Sequence, residues 1–126
     1  MNLMNTPHAI ILFAHGSRDP LWHLPIEAVK TQLAQRAPDT PVACAYLELS
    51  TPDLPTAAQR LIEAGVDSVS IVPLFLGVGK HAREDLPQLV ADLRTRYPHI
   101  TFHLQKAVGE DARLIALLAT IAQENV

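Results

Sequence analysis

Four short apolar runs alternate with four segments of helical periodicity along the 126 residues of this chain. A short apolar run bounded by turn signals is typical of a strand buried on both faces, and such strands occur almost only in parallel sheets covered by helices. We predict strands at 8–14, 42–47, 69–76 and 100–104, and helices at about 26–33, 54–64, 83–97 and 111–123. The pattern therefore predicts an α/β fold.

The repeated strand-helix order also limits how the strands are arranged. Parallel strands are joined by right-handed crossovers, which place helices on both faces of the sheet. We therefore predict a single three-layer domain over residues 1–126, built on a four-stranded parallel sheet in the order 2-1-3-4. A chain of 126 residues is long enough for one hydrophobic core, and no linker or low-complexity tract divides it.

Composition limits the classes of function. The chain is 48% hydrophobic and 18% charged with a net charge of −3, which gives no reason to expect a nucleic-acid partner. The single cysteine, Cys44, lies in an apolar run and is expected to be a core residue in a reducing compartment. No apolar run approaches the ~20 residues of a membrane span, and residues 1–7 lack the features of a signal peptide. We expect a cytoplasmic protein that does not bind membranes.

Polar side chains follow each of the predicted strands. In an open parallel sheet, ligands bind outside the carboxyl ends of the strands. His15 follows the first strand and His81 the third, and the order 2-1-3-4 makes these strands neighbours. The two imidazoles are therefore expected to face each other, with Glu48 after the second strand. Neutral imidazole ligates iron, cobalt, nickel and zinc, so the pair indicates a transition metal.

Each of these residues also has a simpler interpretation. Glu48 could cap the following helix, and the acidic pair Glu84 and Asp85 could complement the positive end of a helix dipole. A single histidine after a strand is often a loop residue. We expect the other four histidines to be structural or surface residues; they occupy positions 8, 23, 99 and 103. The joint placement of His15 and His81 favours a site.

Three segments of the chain resemble the signature segments of the CbiX-type sirohydrochlorin chelatases. They are 11–18 (ILFAHGSR), 46–52 (YLELSTP) and 73–87 (PLFLGVGKHAREDLP). The resemblance implies a chelatase-like fold and an enzyme that inserts Co²⁺ or Fe²⁺ into sirohydrochlorin without ATP, for cobalamin or sirohaem. The metal is then a substrate, and no cofactor is permanently bound. The chain resembles the short form of the family, which pairs as a homodimer to form the cleft that longer relatives build from two domains.

The resemblance extends to particular residues. It assigns the metal-binding histidines to His15 and His81 and an acidic catalytic residue to Glu48. Loss of the pyrrole protons would fall to one of these groups, since histidine and glutamate are common general bases. Four side chains are candidates for binding the substrate carboxylates: Ser17, Arg18, Lys80 and Arg83. The backbone N–H groups of residues 77–80 are further candidates.

Other functions use similar residues. A non-catalytic carrier of metal or tetrapyrrole would need the same histidines, and a nickel chelatase would too, because Co²⁺, Fe²⁺ and Ni²⁺ all accept imidazole. A histidine phosphatase needs an arginine directly before His-Gly, where this chain has Ala14. A serine hydrolase built on Ser17 lacks the G-x-S-x-G elbow. The sequence therefore favours a chelatase and leaves its metal open.

Overall fold

A computed structural model describes residues 7–124 of the chain. They form a four-stranded parallel sheet in the order β2-β1-β3-β4, which confirms the predicted order. The strands are β1 (His8–Ala14), β2 (Val42–Tyr46), β3 (Ser68–Pro73) and β4 (Thr101–Leu104). Residues 1–6, for which we predicted no signal peptide, lie outside the described residues. Residues 125 and 126 of the predicted domain do so as well.

Four helices connect or follow the strands. They are α1 (Leu24–Arg36), α2 (Leu54–Glu63), α3 (Lys80–Arg96) and α4 (Ala112–Glu124). Short 3-10 turns, Pro20–His23 and Val108–Glu110, precede α1 and α4. Among residues 7–124, none of the helices combines the length and apolar composition that a membrane crossing requires.

Strand β1 is the centre of the sheet. It pairs in parallel with β2 on one side and with β3 on the other, so that Phe13 lies opposite Ala45 and Pro73. Ile11 and Phe13 are fully buried. Because successive side chains of a strand point to opposite faces, β1 contributes to a core on each side of the sheet.

The two cores differ in size. The larger core lies under α2 and α3 and is built around Ile11, Phe13, Ile71 and Phe75. The smaller core, on the face covered by α1, contains Leu12, Ala14, Tyr46 and Cys44, the last of which is buried as predicted. No residue of α4 belongs to either core, and none of its described residues is buried.

Two boundaries near the third strand differ from the predictions. Strand β3 ends at Pro73 instead of residue 76, although the N–H of Leu74 still donates to the carbonyl of Phe13, 2.7 Å away. Helix α3 begins at Lys80 instead of about residue 83, because the extended Gly79 (φ −67°, ψ 160°) already turns the chain into the helix. Lys80 and His81 therefore lie in the first turn of α3, and not in a loop before it.

The N-terminus of α2 is capped by Asp53, and not by Glu48. The carboxylate of Asp53 accepts the backbone N–H of Thr56 at 2.9 Å, so Asp53 is the N-cap. The alternative that Glu48 caps this helix is therefore wrong. Hydrogen bonding by Thr56 lowers the pKa of Asp53.

The Asp53→Ala variant tests this cap. At neutral pH we expect the free energy of unfolding to fall by about 1 kcal/mol, whereas Asp53→Asn, which keeps a side-chain acceptor, should lose much less. The folded-state pKa of Asp53 is lowered, so its ionised form stabilises the protein above the unfolded pKa and this contribution is lost as the pH falls through the folded pKa. Urea titrations at neutral pH and at about pH 2 should show the Ala variant's deficit shrinking in acid. Equal stability of wild type and Asp53→Ala at neutral pH would contradict the assignment.

Candidate functional site

The imidazole of His15 rests on an aromatic ring of the larger core. His15 follows β1 directly, and its ring centroid lies 4.4 Å from that of Phe75 at an interplanar angle of 33°. Phe75 is only 2% exposed and meets Phe13 edge-on, with 5.9 Å between the ring centroids. His15 itself is exposed. An accessible imidazole is thus held in a defined plane by buried neighbours.

Backbone contacts hold the loop after β1 against the loop after β2. The N–H of Glu48 donates to the carbonyl of His15 at 2.9 Å. Gly16 has φ of +104°, and a Cβ at this position would overlap the carbonyl oxygen of Glu48. Only glycine combines this φ with such a close approach. His15 and Glu48 are therefore fixed side by side at the end of neighbouring strands.

The loop after β4 approaches the loop after β3 in a similar way. The N–H of Gly109 donates to the carbonyl of Phe75 at 3.0 Å, and a Cβ on Gly109 would overlap the carbonyl oxygen of Leu76. We call the four strand-end loops, with the first turn of α3, the rim. Neighbouring loops of the rim contact one another across the whole width of the sheet.

Ser50 fixes the loop that carries His15. Its hydroxyl donates to the carbonyl of Ser17 at 2.7 Å and accepts the N–H of Ser17 at 3.0 Å. Nε2 of His23 lies 2.9 Å from the same oxygen, and because the hydroxyl proton is already donated, His23 is the donor. Neither residue was predicted to belong to the site. Ser50 lies in the 46–52 segment that resembles the family, so the sequence did indicate a role for it. His23 was expected to be a structural or surface residue, and no sequence pattern indicated its role.

The side chains below His23 are neutral. Its ring centroid lies 5.0 Å from that of Tyr46, and burial, ahead of the nearby Cys44 and Glu27, raises the pKa of Tyr46 to about 12. Burial likewise raises the pKa of Cys44. A thiol that stays protonated is a poor metal ligand. Tyr46 and Cys44 therefore pack in the smaller core beside His23 without offering a metal ligand.

His81 is paired with a carboxylate one turn further along α3. Its Nε2 lies 2.8 Å from Oδ2 of Asp85, and the two side chains are 82% and 44% exposed. When the neutral ring donates from Nε2, the lone pair of Nδ1 is left for a metal ion or a proton. Metal-binding histidines commonly have a carboxylate on the other ring nitrogen. The two adjacent acidic residues thus differ in their contacts: Asp85 contacts His81, whereas Glu84 is exposed.

The predicted ligands do not form a preassembled set of three within one copy. Among residues 7–124, no three histidine, cysteine, aspartate or glutamate side chains are grouped so that they could hold a metal ion. His15 follows β1, Glu48 follows β2 and His81 lies in the first turn of α3, so all three lie on the rim.

A cavity of about 320 Å³ opens on the rim beside the first turn of α3. Phe75, Val78 and Arg83 line one side of it, and Lys106 lines the other. Lys106 comes two residues after the end of β4 and was missed by the sequence analysis. The rule that selected the other candidates, a polar residue just after a strand, applies to it as well. Arg83 and Lys106 give this cavity two cationic side chains, and Glu110 gives it one carboxylate.

The other predicted substrate-binding residues lie near the two histidines. Arg18 and Lys80 are exposed, Arg18 after β1 and Lys80 in the first turn of α3. The hydroxyl of Ser17 accepts the N–H of Asp19 at 3.0 Å, which leaves the hydroxyl proton free to donate. These side chains are in a position to bind anionic groups above the rim.

A family model described as CbiX matches residues 9–125. The sirohydrochlorin cobaltochelatase of Methanopyrus kandleri is 30% identical over 82 residues, which cover 65% of this chain and 57% of the relative. The sirohydrochlorin ferrochelatase of Priestia megaterium is 29% identical over 123 residues, which cover 93% of this chain and 44% of the relative. The chain thus spans about half the length of these curated relatives.

Solved structures of two lengths share the fold. The CbiX protein from Marinobacter aquaeolei VT8 has a TM-score of 0.82 and 34% identity, and the match covers 94% of this chain and 97% of that one. The sirohydrochlorin chelatase SirB from Bacillus subtilis subspecies spizizenii, in complex with cobalt, has a TM-score of 0.78 and 25% identity. That match covers 93% of this chain but 50% of SirB.

Substitution of Gly16 tests how the loop of His15 is held. Gly16→Ala places a side chain at positive φ and against the Glu48 carbonyl, so we expect the free energy of unfolding to fall by about 1–3 kcal/mol. Gly77→Ala is the matched control in the loop after β3, because a Cβ there meets no atom within 4 Å. The control should change stability by no more than about 0.5 kcal/mol in urea unfolding. Equal effects of the two substitutions would show that the close approach at Gly16 is not required.

Proposed function

The chain belongs to the CbiX family, and we propose that it is a sirohydrochlorin chelatase that inserts Co²⁺ or Fe²⁺ into sirohydrochlorin without ATP. The proposal is supported above all by two features of a chain that matches the family over residues 9–125: His15 directly follows β1, and His81 lies in the first turn of α3, the helix after the neighbouring strand β3. The names of the relatives, cobaltochelatase and ferrochelatase, support both metals.

In this proposal the two histidines bind the incoming metal. Phe75 sets the plane of the His15 ring, and Asp85 directs Nδ1 of His81 outwards. Neutral imidazoles suit Co²⁺ and Fe²⁺. A small number of protein ligands leaves coordination positions that the pyrrole nitrogens can occupy one after another. Such a site can hold the metal and also release it into the product.

Insertion also requires a proton acceptor. The metal replaces both pyrrole protons of the macrocycle, so these protons must pass to the protein and then to water. We propose that a histidine of the pair accepts the first pyrrole proton, since imidazole is the commonest general base near neutral pH. Glu48, fixed beside His15 through the backbone, is a second acceptor next to it.

Cationic groups on the rim would hold the carboxylates of the substrate. The chain has a net charge of −3, so an anionic substrate must be attracted by local positive charge. Arg83 and Lys106 line one cavity together with Glu110, and Arg18 and Lys80 are exposed on the rim. The hydroxyl of Ser17 is a further donor. Together they would place the macrocycle across the rim.

We propose in addition that two copies of the chain form one cleft in the cytoplasm. Two observations support pairing: SirB is twice as long as the matched region, and residues 7–124 hold no preassembled set of three ligands. The free, buried thiol of Cys44 fits a reducing compartment. Full activity in a particle with the mass of one chain would contradict a shared cleft.

The experiment that tests the function follows the absorbance of sirohydrochlorin without ATP, with Co²⁺, Fe²⁺ or Ni²⁺ and against the spontaneous rate of each. We expect His15→Ala and His81→Ala to reduce the rate to the spontaneous one, because each removes a metal ligand. His99→Ala is the control, since His99 is exposed and precedes β4 at the opposite edge of the sheet. Glu48→Gln should also slow the reaction.

The alternatives give different results in the same assay. Tight binding of pigment or metal by the wild type, with no acceleration, would identify a carrier. Unchanged rates in both histidine variants would overturn the site assignment. Acceleration with Ni²⁺ in preference to the other metals would identify a nickel chelatase.

The pairing of His81 with Asp85 gives a separate prediction. Asp85→Ala removes the carboxylate that orients the ring, and loss of such a partner typically costs about 10- to 100-fold in metal affinity or activity. Glu84→Ala removes the same charge from the adjacent, exposed position and is the matched control. We expect the Asp85 variant to lose metal affinity in a Co²⁺ titration while the Glu84 variant binds like the wild type. Equal affinities would mean that Asp85 does not position His81.

A further inference from the structure

His23 lies beside two aromatic side chains that set the plane of its imidazole. Its ring centroid is 5.6 Å from that of Trp22, at an interplanar angle of 78°, and 5.0 Å from that of Tyr46, at 35°. Tyr46 is buried in the smaller core, and Trp22 packs against that core. The direction in which the Nε2–H of His23 points is therefore set by the interior of the protein.

The hydroxyl that receives this N–H has no hydrogen-bonding position left over. A hydroxyl has one proton and two lone pairs. Ser50 donates its proton to the carbonyl of Ser17 at 2.7 Å. Its two lone pairs accept the N–H of Ser17 at 3.0 Å and the Nε2–H of His23 at 2.9 Å. Without His23, one lone pair would be vacant and the hydroxyl could rotate away from Ser17.

The two segments that Ser50 joins carry His15 and Glu48. Ser17 is two residues from His15, and Ser50 is two residues from Glu48. Between Glu48 and Ser50, Leu49 has φ of +63°, a left-handed conformation that is unfavourable for a residue with a side chain. Such strain persists only where the surroundings impose it, and it is concentrated at functional sites. The hydrogen bonds of Ser50 impose that constraint directly beside Leu49.

We propose that His23 is a positioning residue, which acts through Ser50 to hold the imidazole of His15 in the orientation that binds the metal. His23 fixes the hydroxyl of Ser50, and Ser50 holds both backbone polar groups of Ser17. The restraint then reaches His15 through the backbone, while Phe75 contacts its ring from the core. The inference rests on the proposed function, in which His15 is a metal ligand, but the orientation of the His15 ring can be measured without it.

The chain contains a second histidine-serine pair that serves as a comparison. Nδ1 of His8 lies 2.8 Å from Oγ of Ser68, and its Nε2 lies 3.1 Å from Oγ of Ser70. His8 and Ser68 begin β1 and β3, at the far end of the sheet from His15. His8, like the positioning residue proposed here, is partly buried. Loss of either histidine removes bonds to serine, but only one of them is connected to the loop of His15.

The His23→Ala variant tests the inference, with His8→Ala as the matched control. The ring current of Phe75 shifts the NMR signals of the His15 imidazole, so these signals report how the ring is oriented in the absence of substrate. We expect His23→Ala to change them and to lower the affinity for Co²⁺ by about tenfold or more, as is typical for loss of a group that orients a ligand. His8→Ala should leave both as in the wild type. His23→Gln, whose amide N–H can still donate to Ser50, should restore most of the affinity.

A double variant tests whether His23 acts through Ser50. Ser50→Ala removes the hydroxyl and should also lower the affinity for Co²⁺. If His23 acts through that hydroxyl, adding His23→Ala to Ser50→Ala should cause little further loss, because residues that act as one unit are not additive. In the insertion assay, the single variants should raise the KM for Co²⁺ and leave the KM for sirohydrochlorin unchanged.

Urea unfolding of each variant separates positioning from stability. Unchanged His15 signals in His23→Ala overturn the inference, and so do equal losses of Co²⁺ affinity in His23→Ala and His8→Ala or additive losses in the double variant. If His23→Ala does not fold, unchanged His15 signals in Ser50→Ala are decisive in the same way. A His15 ring that moves in His23→Ala, in a protein whose wild type does not accelerate metal insertion, would support the positioning role and refute the proposed function.

Discussion

The parallel pairing of β1 with both β2 and β3 determines where chemistry can occur in this molecule. It brings the carboxyl ends of the three strands to one edge, and the ladder continues into the loops, where the N–H of Glu48 donates to the carbonyl of His15. His15 then needs only its ring contact with Phe75 to be oriented. The candidate site is thus a continuation of the sheet.

Two glycines allow the rim to be built from backbone contacts. Gly16 lets the first loop lie against the carbonyl of Glu48, and Gly109 lets the fourth lie against that of Leu76. Loops held in this way need few side chains for their own stability. Their polar side chains are therefore free to face outwards, as the exposed His15 does. The arrangement combines a firm support with an open surface.

Much of the fold was predictable because hydrophobic periodicity is local and because right-handed crossovers leave few possible topologies. The bounds of β1 and the order of the strands were predicted correctly for this reason. The start of α3 was not, since Gly79 caps it without a side-chain hydrogen bond and its first residues lack an apolar period. That error concealed the pairing of His81 with Asp85, whose four-residue spacing has meaning only within a helix.

Contacts between distant segments were beyond the sequence analysis. Ser50 meets Ser17 across 33 residues of chain and His23 across 27, and no local pattern predicts such hydrogen bonds. The exposure of α4 was equally hidden. Its leucines predict a helix with an apolar face, but only the three-dimensional arrangement shows that neither core includes that face.

Phe75 links the interior of the protein to the candidate site. The ring of Phe75 contacts the ring of Phe13, in the centre of the sheet, and also the imidazole of His15. Close-packed interiors transmit strain, so a change of volume near Phe13 would tilt the ring that carries the imidazole. Substitutions in this part of the core are therefore coupled to the orientation of the His15 ring. A neutral repacking substitution here would need to preserve the orientation of Phe75 as well as the packing density.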